Sequence, residues 1–299
     1  MLNKYKKSVL SYLSKIEGGR LRITFPDGNV EEFGDLVNFI SDDAICIKLN
    51  NWQVLKNVVS HGDIGFAESF IDGSWSTNDL EGILRLILIN RKQLESLIYG
   101  SFLGSLVYKL KHLLHRNTRA GSRKNIHAHY DLGNAFYQLW LDPSMMYSSG
   151  LYNENYSQPL QDAQIAKLAR ILKELKCNSG ENILEIGCGW GGFMKAALNQ
   201  GLSITGLTLS TEQKKLIDEK IASGSTKAVL MDYRDCVDQY DGIASIEMFE
   251  AVGESYWPDY FETLYRCLKP GKRAVIQTIV IDDQLFDKYR TETDFIQQY

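Results

Sequence analysis

Glu185-Ile186-Gly187-Cys188-Gly189-Trp190-Gly191-Gly192 is the run in this sequence best suited to chemistry. It follows an apolar stretch, NILEIG (182–187), and opens helical text at Phe193–Asn199. Glycine lets a backbone turn sharply and approach a ligand where a Cβ would collide. The helix that follows offers free N–H groups to a polar ligand. Dinucleotide-binding folds carry G-x-G-x-x-G in the same place; here Gly191 adds a glycine two residues after the second. An acid, Glu185, stands two residues before the first glycine. The second strand of such a fold normally ends in an acid that grips ribose hydroxyls. This one runs Thr208-Leu209-Ser210-Thr211-Glu212-Gln213, with no acid at its tip. Ribose would then fall to the Thr208-Leu209-Ser210 turn and Gln213, which disfavours an NAD reading. After the third strand, in Met231-Asp232-Tyr233-Arg234-Asp235, Asp232 is suited to accept from an adenine amine and Tyr233 to pack on the ring.

These residues need a scaffold, and the text around them supplies one. QDAQIAKLARILKELK (161–176) has helical periodicity and stops at Asn178–Gly180. SITGLTL (203–209), KAVLM (227–231), GIASI (242–246) and KRAVIQTI (272–279) follow as strands, each separated by helical text. Strands without polar alternation are buried on both faces. Their regular alternation with helices predicts an α/β doubly wound, Rossmann-like parallel sheet over residues 126–299. Residues 1–98 read differently. A helix with apolar positions Val9, Leu10, Tyr12, Leu13 and Ile16 ends at Gly18-Gly19. The short runs LRITF, AICIKL and WQVL, separated at Asp27-Gly28 and Ser41–Asp43, predict a small hairpin-connected sheet. HGDIGFAESFIDGSWSTNDLEGIL (61–84) predicts two helices broken at Asp72-Gly73. Together these make a small α+β domain. Between the two domains, residues 99–125 combine an apolar stripe (Leu106, Val107, Leu110, Leu113, Leu114) with Lys109, Lys111, Arg116, Arg119, Arg123 and Lys124. A basic amphipathic segment suits an anionic membrane surface, or a linker helix with a solvated basic face.

Composition narrows the function classes. A net charge of −4 argues against a dedicated nucleic-acid binder. Five scattered cysteines without a C-x-x-C pair predict reduced thiols and no metal site. The greasiest segment, Leu80–Asn90, is far shorter than the roughly 20 residues needed to span a bilayer. The expected setting is cytoplasmic, peripheral to the inner face of the membrane.

Glu185-x-Gly187-x-Gly189 resembles the first motif of class I S-adenosylmethionine-dependent methyltransferases. In those enzymes this loop holds the methionine and ribose parts of the cofactor. Six ordered runs, HYDLGNAFYQLWLDPSMMYSS (129–149), LEIGCGWGGF, GLTLSTEQ, MDYRD, MFEAVGE and LKPGKRAVIQTI, resemble the cyclopropane-fatty-acyl-phospholipid synthase family. HGDIGFAESFIDGSW extends the likeness over nearly the whole chain. The resemblance implies methyl transfer from S-adenosylmethionine to a cis double bond of a phospholipid acyl chain, followed by ring closure. Glu185, Gly187, Cys188, Gly189 and Gly191 would contact the cofactor, with Tyr147 and Ser148 at its methionine end. A bicarbonate ion would serve as base, held by Ser149, Glu250, Gln277 and backbone at Ile279. Ser149 and Gln277 stand where many members have cysteine and histidine, and Gln277 cannot titrate. A methyl-branched or methylene product therefore stays open beside the ring. So does small-molecule N-methylation, since some amine-methylating enzymes resemble this family. His129 is read as a hydrogen-bonded structural residue rather than a base. The implied partner is the bilayer surface with its unsaturated acyl chains; a homodimer is left open. The family continues beyond Tyr299 with an edge hairpin, so the C-terminal strands are expected to be missing here, leaving the fifth strand as an open edge.

Overall fold

A computed structural model describes residues 2–34, 44–98 and 133–291. The expected turn at 41–43, the basic stretch 99–125, His129-Tyr130-Asp131 and the last eight residues, 292–299, lie outside the described residues. The chain forms two compact units, Met1–His115 with Asp282–Tyr299, and Arg116–Ile281. The described residues after Ile281, 282–291, thus group with the first unit.

In the first unit, helix α1 (Leu2–Leu13) precedes β1 (Arg20–Thr24) and β2 (Val30–Gly34), which pair antiparallel. β3 (Ile45–Leu49) runs parallel to β1 rather than as a hairpin neighbour, and β4 (Trp75–Thr77) closes the order β2-β1-β3-β4. Helices α2 (Gln53–Ile71, broken at Gly62), α3 (Leu80–Ile89), α4 (Arg91–Ile98) and α10 (Asp283–Thr291) complete it. The apolar stripe of α1 contributes Val9 to a core with Leu21, Ile23, Ile47, Val54, Trp75 and Ile83. Two expectations are corrected here. WQVL is the start of α2, not a strand: the Asn51 side chain accepts from the Gln53 N–H, and Val54 and Leu55 are both buried. Neighbouring residues of a strand point to opposite faces, so two consecutive buried positions fit a helix better. The break at Asp72-Gly73 holds, but β4 lies hidden just after it, too short to show an alternating pattern.

The second unit carries α5 (Asn134–Tyr137), α6 (Leu160–Leu175), β5 (Asn182–Ile186), α7 (Gly192–Leu198), β6 (Ser203–Thr208), α8 (Thr211–Lys220), β7 (Lys227–Leu230), β8 (Tyr240–Ile246), α9 (Trp257–Cys267) and β9 (Leu268–Gln277). All five strands are parallel, in the order β7-β6-β5-β8-β9. Ile183 packs on one face with α6 and α7 (Leu168, Leu172, Phe193, Met194). Leu184 and Ile186 pack on the other with α9 (Tyr260, Leu264, Cys267). Burial on both faces explains the absence of polar alternation in these strands. Strand order reverses between β5 and β8, so the crevice for a ligand opens where their carboxyl ends diverge. β9 pairs with β8 alone among the described residues, and Pro270 sits on this edge strand, where a missing donor is tolerated. No helix among the described residues is long and apolar enough to cross a membrane.

Candidate functional site

The glycine run forms the turn from β5 into α7, with Gly187, Gly189 and Gly191 at φ of +81°, +51° and +84°. The Gly187 and Cys188 N–H groups both donate to the Leu207 carbonyl, at 3.1 and 3.0 Å, which pins the turn to β6. The three glycines serve different ends. A Cβ on Gly191 would lie 2.5 Å from Ile221 Cδ1, the tip of a side chain that would have to shift, while φ +84° itself favours glycine there. A Cβ on Gly187 would lie 3.1 Å from Met248 Cγ, on the neighbouring strand exit. One on Gly189 would meet no atom of the described residues within 4 Å, so that position faces open space among them. Trp190 Nε1 donates to Asn134 Oδ1 at 2.7 Å, and the Tyr137 ring packs at a tilt, 4.6 Å from Trp190 and 5.6 Å from Tyr147. This aromatic group brings the segment Tyr147–Ser149 to the glycine turn. Gln164 Nε2 donates to the Ser148 carbonyl at 2.7 Å and Lys167 Nζ to the Ser148 hydroxyl at 2.5 Å, which anchors the same segment on α6.

Glu185 is only 2% exposed, and its Oε2 has no hydrogen-bond partner among the described residues. Burial pushes its carboxyl well above the usual range, an effect the nearby Lys167 ammonium only partly offsets. Burial in turn pulls Lys167 down to about 8, against the attraction of Glu247, Asp142 and Glu185. The unfolded lysine, near 10.5, therefore binds a proton between about pH 8 and 10.5 that the folded one does not. Stability should rise with pH across that window. Denaturant melts from pH 8 to 10 should show this rise in the wild type and not in Lys167→Met.

The residues expected to hold ribose are engaged otherwise. Thr208 Oγ1 donates to Gln213 Oε1 at 2.7 Å, and the Ser210 hydroxyl caps α8 by accepting from the Gln213 N–H at 3.3 Å. Thr208, Ser210 and Gln213 are all buried, and Leu209 is half-buried beside them. Ser210, at the first turn of a helix, satisfies a donor the helix would otherwise leave free. Asp232, expected to accept from an adenine amine, holds the Arg234 guanidinium at 2.8 and 2.6 Å and the Arg234 N–H at 3.0 Å. Its carboxylate is therefore committed to an ion pair within its own turn. The Tyr233 ring lies half-buried, edge-on to Tyr260 at 5.6 Å, and burial raises its hydroxyl to about 12.

At the exit of β8 the structure departs most from expectation. Ser149 and Gln277 do meet: Gln277 Nε2 donates to Ser149 Oγ at 3.1 Å. The carboxylate they hold is that of Glu247, not Glu250. Glu247 Oε1 accepts from the Ser149 N–H at 2.9 Å, the Ser149 hydroxyl at 2.7 Å and Gln277 Nε2 at 2.9 Å. Glu247 has φ +47°, a left-handed conformation costing a side-chain-bearing residue of order 1–3 kcal/mol. That backbone turns its side chain into the cluster. The short helical turn that follows, Phe249–Ala251, carries Glu250 outward, where it is exposed and accepts from the Thr278 hydroxyl at 3.0 Å. Ile279 is 62% exposed and takes no part in the cluster. The sequence holds a signal for Glu247, an acid directly after the apolar strand GIASI, but the acid three residues later, in MFE, draws the eye. Two of the residues expected to hold bicarbonate, Ser149 and Gln277, here donate to the Glu247 carboxylate.

Comparison with known proteins agrees with this architecture. The family described as mycolic acid cyclopropane synthetase matches residues 117–299. The Tuberculostearic acid methyltransferase UfaA1 of Mycobacterium tuberculosis is 33% identical over 256 residues, covering 82% of this chain and 59% of its own. The cyclopropane-fatty-acyl-phospholipid synthase of Escherichia coli K12 is 35% identical over 234 residues, covering 78% of this chain and 60% of its own. The chain thus spans about three-fifths of the length of these relatives. Among solved structures, the cyclopropane synthase MmaA2 from M. tuberculosis superimposes with a TM-score of 0.51 at 31% identity, over 55% of this chain and 60% of that one. The mycolic acid cyclopropane synthase CmaA1, complexed with SAH and CTAB, gives 0.51 at 30% identity, over 56% and 61%. With that family matched over 117–299 and two relatives above 30% identity over more than three quarters of this chain, the chain belongs to the mycolic acid cyclopropane synthetase family.

Proposed function

We propose that the protein transfers a methyl group from S-adenosylmethionine to the cis double bond of an unsaturated phospholipid acyl chain and closes a cyclopropane ring. One observation carries the cofactor assignment: the buried Glu185 carboxylate with an unpartnered oxygen, directly before a glycine turn whose middle member faces open space. An uncompensated buried carboxylate is costly unless a cation meets it, and the methionine end of this donor carries an ammonium group. When bound, S-adenosylmethionine supplies an electrophilic methyl group on a sulfonium. Glu185 would hold the ammonium, and the bare backbone at Gly187–Gly189 would let the donor approach. Tyr147, backed by Tyr137 and Trp140, would wall the methionine end against water. An alkene is a weak nucleophile, so a tight, dry site is what its methylation demands.

The lipid substrate is supported by the two relatives, one named as a cyclopropane-fatty-acyl-phospholipid synthase and one as a tuberculostearic acid methyltransferase. The basic segment 99–125 supports the bilayer surface as the place of action, at the inner face of the membrane. The test is incubation with vesicles of unsaturated phospholipid and methyl-labelled S-adenosylmethionine. Label should enter the lipid fraction, and mass spectrometry of the acyl chains should show a gain of one methylene. Label confined to water-soluble amines would favour N-methylation instead.

A further inference from the structure

We propose that Glu247 is the built-in proton acceptor of this enzyme, its carboxylate standing where a free bicarbonate would otherwise be bound. The inference rests on the lipid-methylation reading above and adds the base to it. Three donors converge on one oxygen, Glu247 Oε1, from two separate segments: the Ser149 N–H and hydroxyl, and Gln277 Nε2. The Glu247 N–H donates to the Gln277 carbonyl at 2.8 Å, so backbone and side chain are tied to the same partner. Among the described residues the second carboxylate oxygen has no such set of donors, which leaves it to act. Register places this group at the chemistry. Ser245 on β8 pairs with Ile186 on β5, so Glu247 and the glycine turn leave the sheet side by side. The Met248 side chain lies against Gly187. A side-chain-bearing residue in left-handed backbone persists only when its surroundings over-determine it, and such residues cluster at active sites. Ser149 and Gln277 suit a resident carboxylate for the same reason they suit an anion: both donate without titrating.

The step balances without another reactant. The alkene π pair forms a bond to the donor's methyl carbon as the sulfur–methyl bond breaks, its pair remaining on sulfur. A C–H bond of the transferred methyl then breaks, and its electron pair closes the ring onto the cationic carbon. The proton goes to the Glu247 carboxylate, which releases it to solvent.

Two readouts on the full chain test this, one of them independent of turnover. Binding of 13C-labelled bicarbonate is followed by NMR, and methyl transfer is measured in CO2-free buffer with and without added bicarbonate. The wild type should bind no bicarbonate and turn over equally in both buffers. Glu247→Gly, which the left-handed backbone accepts readily, should gain bicarbonate binding. It should turn over at least tenfold faster when bicarbonate is added. Glu247→Gln should lose about 100-fold in turnover in either buffer. Bicarbonate binding by the wild type, a wild type that slows in CO2-free buffer, or a Glu247→Gly variant indifferent to the ion would each overturn the assignment. Should no protein label any lipid, the lipid reading fails, while the binding comparison still decides whether Glu247 fills the anion position.

Discussion

Gly189→Val is expected to weaken binding of S-adenosylhomocysteine at least about 100-fold, equivalent to roughly 2.8 kcal/mol. The isopropyl group would project into space that holds no atom of the described residues within 4 Å, so the clash is expected to fall on the ligand and not on the core. A β-branched residue at φ +51° also strains the turn, by of order 1–3 kcal/mol, and shifts the backbone that meets the donor. Calorimetric titration measures the affinity, and thermal melts report the strain separately. Gly191→Ala is the informative contrast. Its Cβ would strike Ile221 at 2.5 Å, inside the fold, so it should lower the melting temperature more than a change facing open space would. Wild-type affinity in Gly189→Val would mean that the donor does not cross this turn.

Glu185→Gln should separate stability from binding in opposite directions. The folded carboxyl titrates well above its ordinary value of 4.5 because burial disfavours its charge. Just above pH 4.5 the folded state therefore keeps a proton that the unfolded state has lost, and stability falls as pH rises through that interval. At neutral pH the ligand-free protein bears this cost. Glutamine keeps the shape and removes the ionisation, so the variant should be more stable at pH 7 by about 1–2 kcal/mol. For a unit of this size that is a melting temperature higher by about 2–8 °C. The advantage should fade as pH approaches 4.5. Affinity for S-adenosylmethionine should meanwhile fall at least tenfold, about 1.4 kcal/mol, since the ammonium loses its counter-charge. A variant that melts lower at pH 7 and binds the donor unchanged would remove Glu185 from the site.

The alternation of buried strands and helices, the glycine turn and the order of motifs were all legible in the residues. Those features are local: an apolar run such as NILEIG, or three glycines in five residues, carries its meaning without distant partners. Each of the five strands of the second unit lies where its apolar run stands, with β8 and β9 starting a few residues earlier than expected. The loss of periodicity in short elements hid β4, and the run WQVL was too brief to distinguish strand from helix.

Side-chain commitment was a different matter. Thr208, Ser210, Gln213 and Asp232 have the right chemistry for a nucleotide, yet the fold gives them nearer partners, a helix cap and Arg234. Which of two acids, Glu247 or Glu250, meets Ser149 and Gln277 depends on a single backbone torsion and on contacts spanning 98 and 30 residues. The sequence by itself determined the sheet, its glycine turn and the family, because periodicity and spacing are properties of neighbouring residues. Only the tertiary structure decided which carboxylate stands among the donors, because that choice is made by hydrogen bonds between segments far apart along the chain.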